Sequence, residues 1–185
     1  GSRAPTKIAQ GEVYNCARII RRYRNAAAAD YALIQLDRKV TGHKPLPVNR
    51  DPKLKKGDRI FIIGHPVGLP LKVAEDASVR DTSKDGYFMT DLDTFTGNSG
   101  SPVFNAKTKL IEGIHVRGAA PNFRLSPVGC AIAVTYPQTG GRGGDATTIS
   151  FLSSFIPKLA VEEEAEAVIN ANTIRAINIG DLVAD

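Results

Sequence analysis

Between Gly11 and Val134 the sequence runs in short apolar stretches that glycine, proline, asparagine or aspartate interrupts about every ten residues. No helical repeat of apolar residues is sustained across this region, which argues against long helices. Regularly spaced short segments of this kind are typical of an all-β sandwich or barrel. The predicted strands cover residues 12–20, 32–36, 59–63, 87–90, 102–104, 110–116 and 130–134.

The end of the chain has a different character. Residues 139–144 are rich in glycine and predict a mobile loop. Asp145 then fits the N-cap of a short helix that docks on the body before Pro157. From residue 160 onward, several glutamates lie in the first turns of an amphipathic pattern, which predicts a terminal helix over 160–185.

Composition excludes several classes of protein. The 185 residues include 24 Lys and Arg against 19 Asp and Glu, a net charge of +5. The densest basic cluster, from Arg18 to Arg24, fits a solvated strand face better than a nucleic-acid surface. No apolar run approaches the ~20 residues needed to cross a bilayer. We therefore expect neither a nucleic-acid partner nor a membrane partner.

Cysteine and histidine are scarce. Cys16 and Cys130 are not part of a C-x-x-C pair, and whether they bond to each other stays open. The three histidines are scattered along the chain. Because such spacing does not suggest a set of metal ligands, we expect no metal site and no cofactor.

The stretch from Thr96 to Phe104, TGNSGSPVF, carries the most specific chemical signal. A serine with glycines close on both sides can occupy a tight turn whose N–H groups point at a developing oxyanion. The stretch is not the G-x-S-x-G elbow of the α/β-hydrolases, because Ser101 replaces the second glycine and a strand-like Pro-Val-Phe follows. Ser99 is thus a candidate nucleophile in another kind of fold.

Three segments agree in order and spacing with one family. DYALIQL from Asp30, GNSGSPVF from Gly97 and IEGIH from Ile111 resemble the chymotrypsin-like serine endopeptidases, in their bacterial trypsin-like and glutamyl-endopeptidase branch. The resemblance covers roughly residues 12–159. It implies an all-β fold of two antiparallel six-stranded barrels, with the active site in the cleft between them and a C-terminal helix. It also implies a secreted or periplasmic hydrolase that acts on peptide or protein substrates.

The resemblance divides the chain into three parts. Residues 1–50 are expected to form the remaining part of the N-terminal barrel lobe. Residues 51–159 are expected to form the C-terminal barrel lobe with its closing helix, and residues 160–185 a helical extension. Because only 29 residues precede Asp30, the N-terminal barrel is expected to be incomplete in this chain.

The family's functional residues map onto named positions here. Ser99 resembles the nucleophile, and the N–H groups of Gly97 and Ser99 resemble the oxyanion hole. Asp30 resembles the aspartate that holds the catalytic imidazole in its correct tautomer. Asn98 replaces an aspartate that pairs with a freed amino terminus in trypsin, so we expect activation by a charged terminus to be weak or absent.

The histidine of the triad is not at its expected place. The family order is His, Asp, Ser, yet no histidine precedes Asp30, and His43, His65 and His115 lie outside the family context. Three explanations stay open: an N-terminal cleaved chain carries the histidine, its segment was left out of this sequence, or the protein is a peptide-binding pseudoprotease. Loss or separation is favoured because the other active-site residues are intact. We expect a serine endopeptidase that forms an acyl-enzyme on Ser99 and is inactive without the histidine.

The residues of the specificity pocket give conflicting signals. Asp93, six residues before Ser99, matches the base of a pocket for Arg or Lys. Thr94 and His115 match positions that hold a substrate carboxylate in glutamyl endopeptidases. Arg or Lys is preferred over Glu, since a buried aspartate would repel a glutamate, and His115 is then either a partner of Asp93 or a hydrogen-bonded core residue. The edge predicted to pair with the substrate backbone consists of Val116, Arg117 and Gly118.

Overall fold

The computed structural model describes residues 6–160, 162 and 163. The chain divides into two compact units, Gly1–Ser153 and Ser154–Asp185. All the strands named below belong to the first unit. Most of the second unit, including nearly all of the predicted helix over 160–185, lies outside the described residues.

Strands dominate the first unit, as the sequence pattern predicts. They are β1 (Cys16–Arg24), β2 (Asp30–Leu36), β3 (Arg59–Gly64), β4 (Lys72–Asp81), β5 (Tyr87–Thr90), β6 (Pro102–Asn105), β7 (Ile111–Arg117), β8 (Phe123–Leu125), β9 (Ala131–Ala133) and β10 (Gly144–Thr148), followed by one short helix, α1 (Ser150–Ser153).

Six strands close into an antiparallel barrel in the order β10-β5-β4-β3-β6-β7. Alternate residues of each strand face its interior, so Ile60 and Ile62 of β3 are buried while their neighbours are more exposed. Phe88 of β5 and Val103 of β6 pack against them in the same core. Burial of each large apolar side chain stabilises the barrel by roughly 1.5–3 kcal/mol. The closed barrel lies within the residues that the family resemblance assigns to a C-terminal lobe, and that assignment stays a prediction.

Gly113 of β7 allows the barrel to close around Phe88. A Cβ atom at position 113 would lie 2.5 Å from the carbonyl oxygen of Thr147 and 2.7 Å from Cε1 of Phe88. Real Cβ atoms essentially never approach other atoms so closely. A glycine is therefore required where β7 passes between β10 and the aromatic ring.

Two hairpins complete the described strands. β1 and β2 pair antiparallel with two bulges, and Arg24 lies opposite Asp30 at the end of the hairpin. Every residue of β1 is exposed, including Ile19 and Ile20. β8 and β9 form a second, fully exposed hairpin. The β1–β2 hairpin lies within residues 1–50, which the sequence assigns to the remaining part of an N-terminal lobe, and that assignment stays a prediction.

Some local predictions are wrong. Asp145 is not an N-cap but a fully buried residue of β10, and the predicted loop ends where this strand begins. The sequence also gave no prediction for β4 and β8. Cys16 and Cys130 are both free and exposed, so they do not form a disulfide. No helix among the described residues is long and apolar enough to cross a membrane.

Candidate active site

Ser99 lies at the tip of a tight, exposed loop between β5 and β6. The loop turns on Gly97 and Gly100, which have φ angles of 100° and 92°. A Cβ atom at position 97 would lie 3.0 Å from the carbonyl oxygen of His65, so the preceding loop leaves no room for a side chain. The turn is closed by the amide of Asn98, which donates to the carbonyl oxygen of Phe95 at 3.1 Å. These constraints place the Ser99 hydroxyl at the surface.

Asn98, the residue that replaces the family aspartate, is buried. The amide of Ser101 donates to its carbonyl oxygen at 2.9 Å. A Cβ atom at Gly64 would lie 2.5 Å from Asn98 Oδ1, which shows how closely β3 approaches this side chain. Asn98 therefore packs beneath the loop as a neutral residue.

The Ser99 loop is attached directly to β7. The amide of Gly100 donates to the carbonyl oxygen of His115 at 2.8 Å, and the amide of His115 donates to the carbonyl oxygen of Ser101 at 2.9 Å. Ser99 Oγ lies 3.5 Å from the carbonyl oxygen of Val116, at the outer limit of a hydrogen bond. The candidate nucleophile is thus held by the same strand that carries the predicted substrate edge.

Asp30 begins β2 and is held by its backbone. Its amide donates to Thr147 Oγ1 at 2.9 Å, and the Thr147 hydroxyl donates back to the Asp30 carbonyl oxygen at 2.8 Å. Within the described residues, the Asp30 carboxylate has no hydrogen-bond partner. It is consequently free to accept one from an imidazole.

Asp30 and Ser99 line the same open depression, which has a volume of about 830 Å³. None of the chain's histidines lines it. His43 Nε2 donates to Glu12 Oε2 at 2.8 Å, and His65 Nδ1 donates to the Leu69 carbonyl oxygen at 3.0 Å. Two of the three predicted triad positions thus line one space, and no histidine of the described residues lines it. The remaining lining residues are Arg22, Tyr23, Arg24, Tyr31, Ala32, Gly100, Ile114 and Val116.

A smaller pocket of about 190 Å³ adjoins Ser99 on another side. Its lining includes Thr94, His115 and Gly118. Thr94 Oγ1 and His115 Nε2 lie 3.2 and 3.8 Å from the point where a Cβ on Gly118 would sit. Two side chains able to donate hydrogen bonds therefore converge beside Ser99, next to a position that carries no side chain.

His115 is a buried, neutral residue at ordinary pH. Burial lowers the pKa of its imidazole from 6.5 to about 4, and the charge of Asp145 opposes part of this effect. Nδ1 is buried and has no hydrogen-bond partner in the part of the chain that the structure describes. Asp93, by contrast, is exposed and lines a neighbouring cavity of about 340 Å³ instead of the pocket beside Ser99. The described structure gives no hydrogen bond between Asp93 and His115.

Comparison with known proteins bears on this arrangement. Residues 4–111, more than half of the chain, match the family described as "Trypsin-like peptidase domain". The chain belongs to the trypsin-like peptidase family. The glutamyl endopeptidase of Staphylococcus aureus strain MW2 is 36% identical over 80 residues, which are 43% of this chain and 24% of that protein. The match thus covers less than a third of the curated relative's length.

Solved structures confirm the fold of this trypsin-like peptidase. Neuropsin, described as a serine protease of mouse brain, superposes with a TM-score of 0.56 at 19% identity, covering 77% of this chain and 69% of its own. Kallikrein-related peptidase 10 in complex with Zn²⁺ superposes with a TM-score of 0.55 at 14% identity. This match covers 78% of this chain and 72% of that peptidase chain. At such identities the likeness shows the fold alone, and the predicted chymotrypsin-like class is confirmed.

The side chain of Arg117 does not point along the predicted substrate edge of this trypsin-like peptidase. Its Nε donates to Asp145 Oδ2 at 2.8 Å, and its Nη1 and Nη2 donate to the carbonyl oxygens of Asn25 and Ala28 at 3.3 and 2.9 Å. The guanidinium carbon also lies 4.9 Å from the ring centre of Tyr87. The side chain of Arg117 is therefore occupied by contacts within the chain, and its place in the substrate edge stays a prediction.

The sequence missed residues that shape the site of this trypsin-like peptidase from a distance. Thr147 fixes Asp30 across 117 positions of sequence. Asn122 Oδ1 accepts from both the amide and the hydroxyl of Thr96, at 2.8 and 2.7 Å, and so fixes the start of the Ser99 loop. No local motif marks either residue, since a single Thr or Asn in a loop or strand is ordinary.

Proposed function

We propose that this chain is the catalytic part of a serine endopeptidase whose general-base histidine lies on a segment outside this sequence. The observation that carries the proposal is the shared depression. Ser99 and Asp30 face it, and the carboxylate of Asp30 has no partner within the described residues. A histidine placed there would contact both groups, which is the arrangement that acyl-transfer chemistry needs.

The proposed reaction is peptide-bond hydrolysis in two steps. Ser99 Oγ attacks the substrate carbonyl, the histidine takes the hydroxyl proton, and the N–H groups of Gly97 and Ser99 stabilise the oxyanion. The histidine then gives the proton to the leaving amine, which leaves an ester on Ser99. Water hydrolyses this ester, again with the histidine as base, and releases the acid product. Removal of the base from such a triad costs on the order of a million-fold in kcat, so the chain should be inactive without it.

Two sources of the histidine remain proposals: an N-terminal chain separated by cleavage, or a segment encoded before this sequence. The exposed hairpin supports either source. Ile19, Ile20 and Ile34 are each about half exposed on its two strands. Apolar strand faces and free strand edges are usually covered in folded proteins. A further strand segment that pairs with this hairpin would cover both.

For the substrate, the pocket beside Ser99 favours glutamate over the Arg or Lys predicted from the sequence. Thr94 and His115 line this pocket, whereas Asp93 lines the cavity behind it. A neutral imidazole and a hydroxyl both offer donors to a carboxylate, and neither carries the negative charge that would pair with a cation. The S. aureus relative is itself named a glutamyl endopeptidase. We include export from the cytoplasm in the proposal, as the family resemblance implies.

The alternative is a peptide-binding protein without turnover. The observation in its favour is that none of the three histidines lines the depression. It predicts saturable peptide binding by the full-length gene product with no cleavage.

The test is cleavage of a peptide panel by the full-length gene product. Peptides that differ only in Glu, Gln, Arg or Lys before the scissile bond are compared, with Ser99→Ala as the inactive control. We expect cleavage after Glu and none in the Ser99→Ala variant. Cleavage after Arg and Lys alone would overturn the pocket assignment, and binding without cleavage of any peptide would establish the alternative.

A further inference from the structure

The turn before Asp30 joins the two strands of the β1–β2 hairpin, which is a sheet separate from the barrel. β1 is exposed along its whole length, and a two-stranded hairpin is marginally stable by itself. At its Asp30 end, however, Ala29 is fully buried. A Cβ at Gly86 would lie 2.9 Å from both the Cβ and the amide nitrogen of Ala29, so the two backbones are in close contact. The turn end of the hairpin is therefore packed against the barrel, whereas the strand β1 is exposed to solvent.

Two side chains of the barrel hold this end. Thr147 of β10 exchanges two hydrogen bonds with the backbone of Asp30, one with the amide and one with the carbonyl. Arg117 of β7 donates to the carbonyl oxygens of Asn25 and Ala28, on both sides of the turn that precedes Asp30. Together they fix the backbone on either side of the Asp30 Cα atom.

Arg117 is itself held in place. Asp145, which is fully buried, accepts from Arg117 Nε at 2.8 Å and from Arg142 Nη2 at 2.6 Å through the same oxygen. The planar guanidinium uses its Nε and both terminal nitrogens on three different acceptors, which a lysine ammonium could not reach in one geometry. Arg117 also belongs to the edge predicted to pair with the substrate backbone, so the residue that holds the Asp30 turn lies in that predicted edge.

We propose that Arg117, fixed by Asp145, and Thr147 are positioning residues that set the place of the Asp30 carboxylate relative to the substrate edge. The inference rests on the proposed function, because it takes Asp30 as the residue that orients the catalytic imidazole. A merely structural role would lower the stability of the whole barrel. A positioning role loosens the Asp30 turn and leaves the barrel core as it was.

Amide hydrogen exchange on this chain separates the two roles. In Thr147→Val we expect exchange at Asp30 to rise about 10-fold or more, since the hydroxyl acceptor is lost, with no matching rise at Ile62 in the barrel. Thr147→Ser restores the hydroxyl and should restore protection. Arg117→Lys should raise exchange at Asp30 and Asn25 in the same way. Arg59→Lys, which alters an exposed Arg–Asp pair on β3, is the matched control.

Activity of the full-length gene product gives the second measurement. Arg117→Lys should lower kcat about 10-fold or more with KM within about threefold, because the triad and not the pocket is disturbed. Unchanged exchange at Asp30 in both variants, or an equal rise at Ile62, would overturn the inference. If Thr147→Val does not fold, Arg117→Lys decides alone. If the parent protein cleaves no peptide, the proposed function fails while the exchange result still stands.

Discussion

The amide of Gly100 donates a hydrogen bond to the carbonyl oxygen of His115 at 2.8 Å. This bond joins the residue after the candidate nucleophile to the residue that lines the pocket beside it. Because His115 also donates from its amide to Ser101, the loop and the pocket wall form one hydrogen-bonded unit. A substitution in the pocket wall should therefore change the position of Ser99.

Gly118→Val tests the pocket. The new Cβ would lie 3.2 Å from Thr94 Oγ1, and its methyl groups would occupy the space between Thr94 and His115. We expect kcat/KM for peptides with Glu before the scissile bond to fall at least about 10-fold in the full-length gene product. Gly11→Val, at a position with open space around it, is the control. Equal activity of the two variants would show that this pocket does not bind the substrate side chain.

His115 should make stability depend on pH. The folded chain holds the imidazole with a pKa of about 4, against 6.5 when exposed. Between these values the unfolded chain binds a proton that the folded chain does not, so stability is full above pH 6.5 and falls as the pH drops towards 4. The loss reaches up to about 3 kcal/mol.

To measure this loss, the free energies of unfolding of the parent protein and of His115→Gln are determined in urea at several pH values and compared. The variant removes the titrating ring and leaves the other acidic groups unchanged. The stability difference between the two proteins should narrow with falling pH. A constant difference from pH 7 to pH 4 would contradict the burial of a neutral His115.

Glu112→Gln should destabilise the barrel. Glu112 is buried, and its carboxylate accepts from Asn49 Nδ2 through both oxygens and from Asn105 Nδ2, all at 3.0 Å. Glutamine turns one acceptor oxygen into a donor that faces other donors. We expect a loss of about 1–3 kcal/mol in the free energy of unfolding. Glu75→Gln, at an exposed position, should stay within about 0.5 kcal/mol of the parent protein, and a similar result for both would be inconsistent with this network.

Gly97→Ala separates backbone strain from damage to the oxyanion hole. Gly97 and Gly42 both have positive φ, but a Cβ meets His65 and Val67 only at position 97. Alanine at either position should cost roughly 1–2 kcal/mol of stability from the left-handed conformation alone. In the full-length gene product, only Gly97→Ala should also slow the reaction of Ser99 with an acylating reagent. Equal reactivity in both variants would argue against Gly97 as an oxyanion donor.

The sequence predicted well where the pattern is local. β5 was predicted with its observed bounds, because Phe88 and Thr90 alternate with less buried neighbours. β10 was missed because Gly143, Gly144 and Asp145 resemble a loop followed by a helix cap. Asp145 is buried in a strand with its carboxylate paired to Arg142, three residues earlier, and to Arg117, 28 residues earlier. A partner so far away leaves no local pattern to read.

In the candidate site, too, local motifs could be predicted from the sequence and contacts between distant residues could not. Ser99 and its glycines lie in one continuous motif, so the loop could be predicted from the sequence. The choice between Asp93 and His115 could not, since it depends on which side chain reaches the pocket beside Ser99 once β7 is packed against β10. The attachment of Asp30 through Thr147 likewise exists only in the folded barrel.

The most direct test of the central claim is labelling of the full-length gene product with a fluorophosphonate, followed by mass spectrometry of its peptides. Such a reagent reacts only with a serine that a base activates. We predict one adduct, on Ser99, that is absent in Ser99→Ala and forms on the order of 10⁴-fold more slowly in Asp30→Asn. No adduct on Ser99, under conditions that label trypsin completely, would contradict the claim that this chain carries the nucleophile of a working serine endopeptidase.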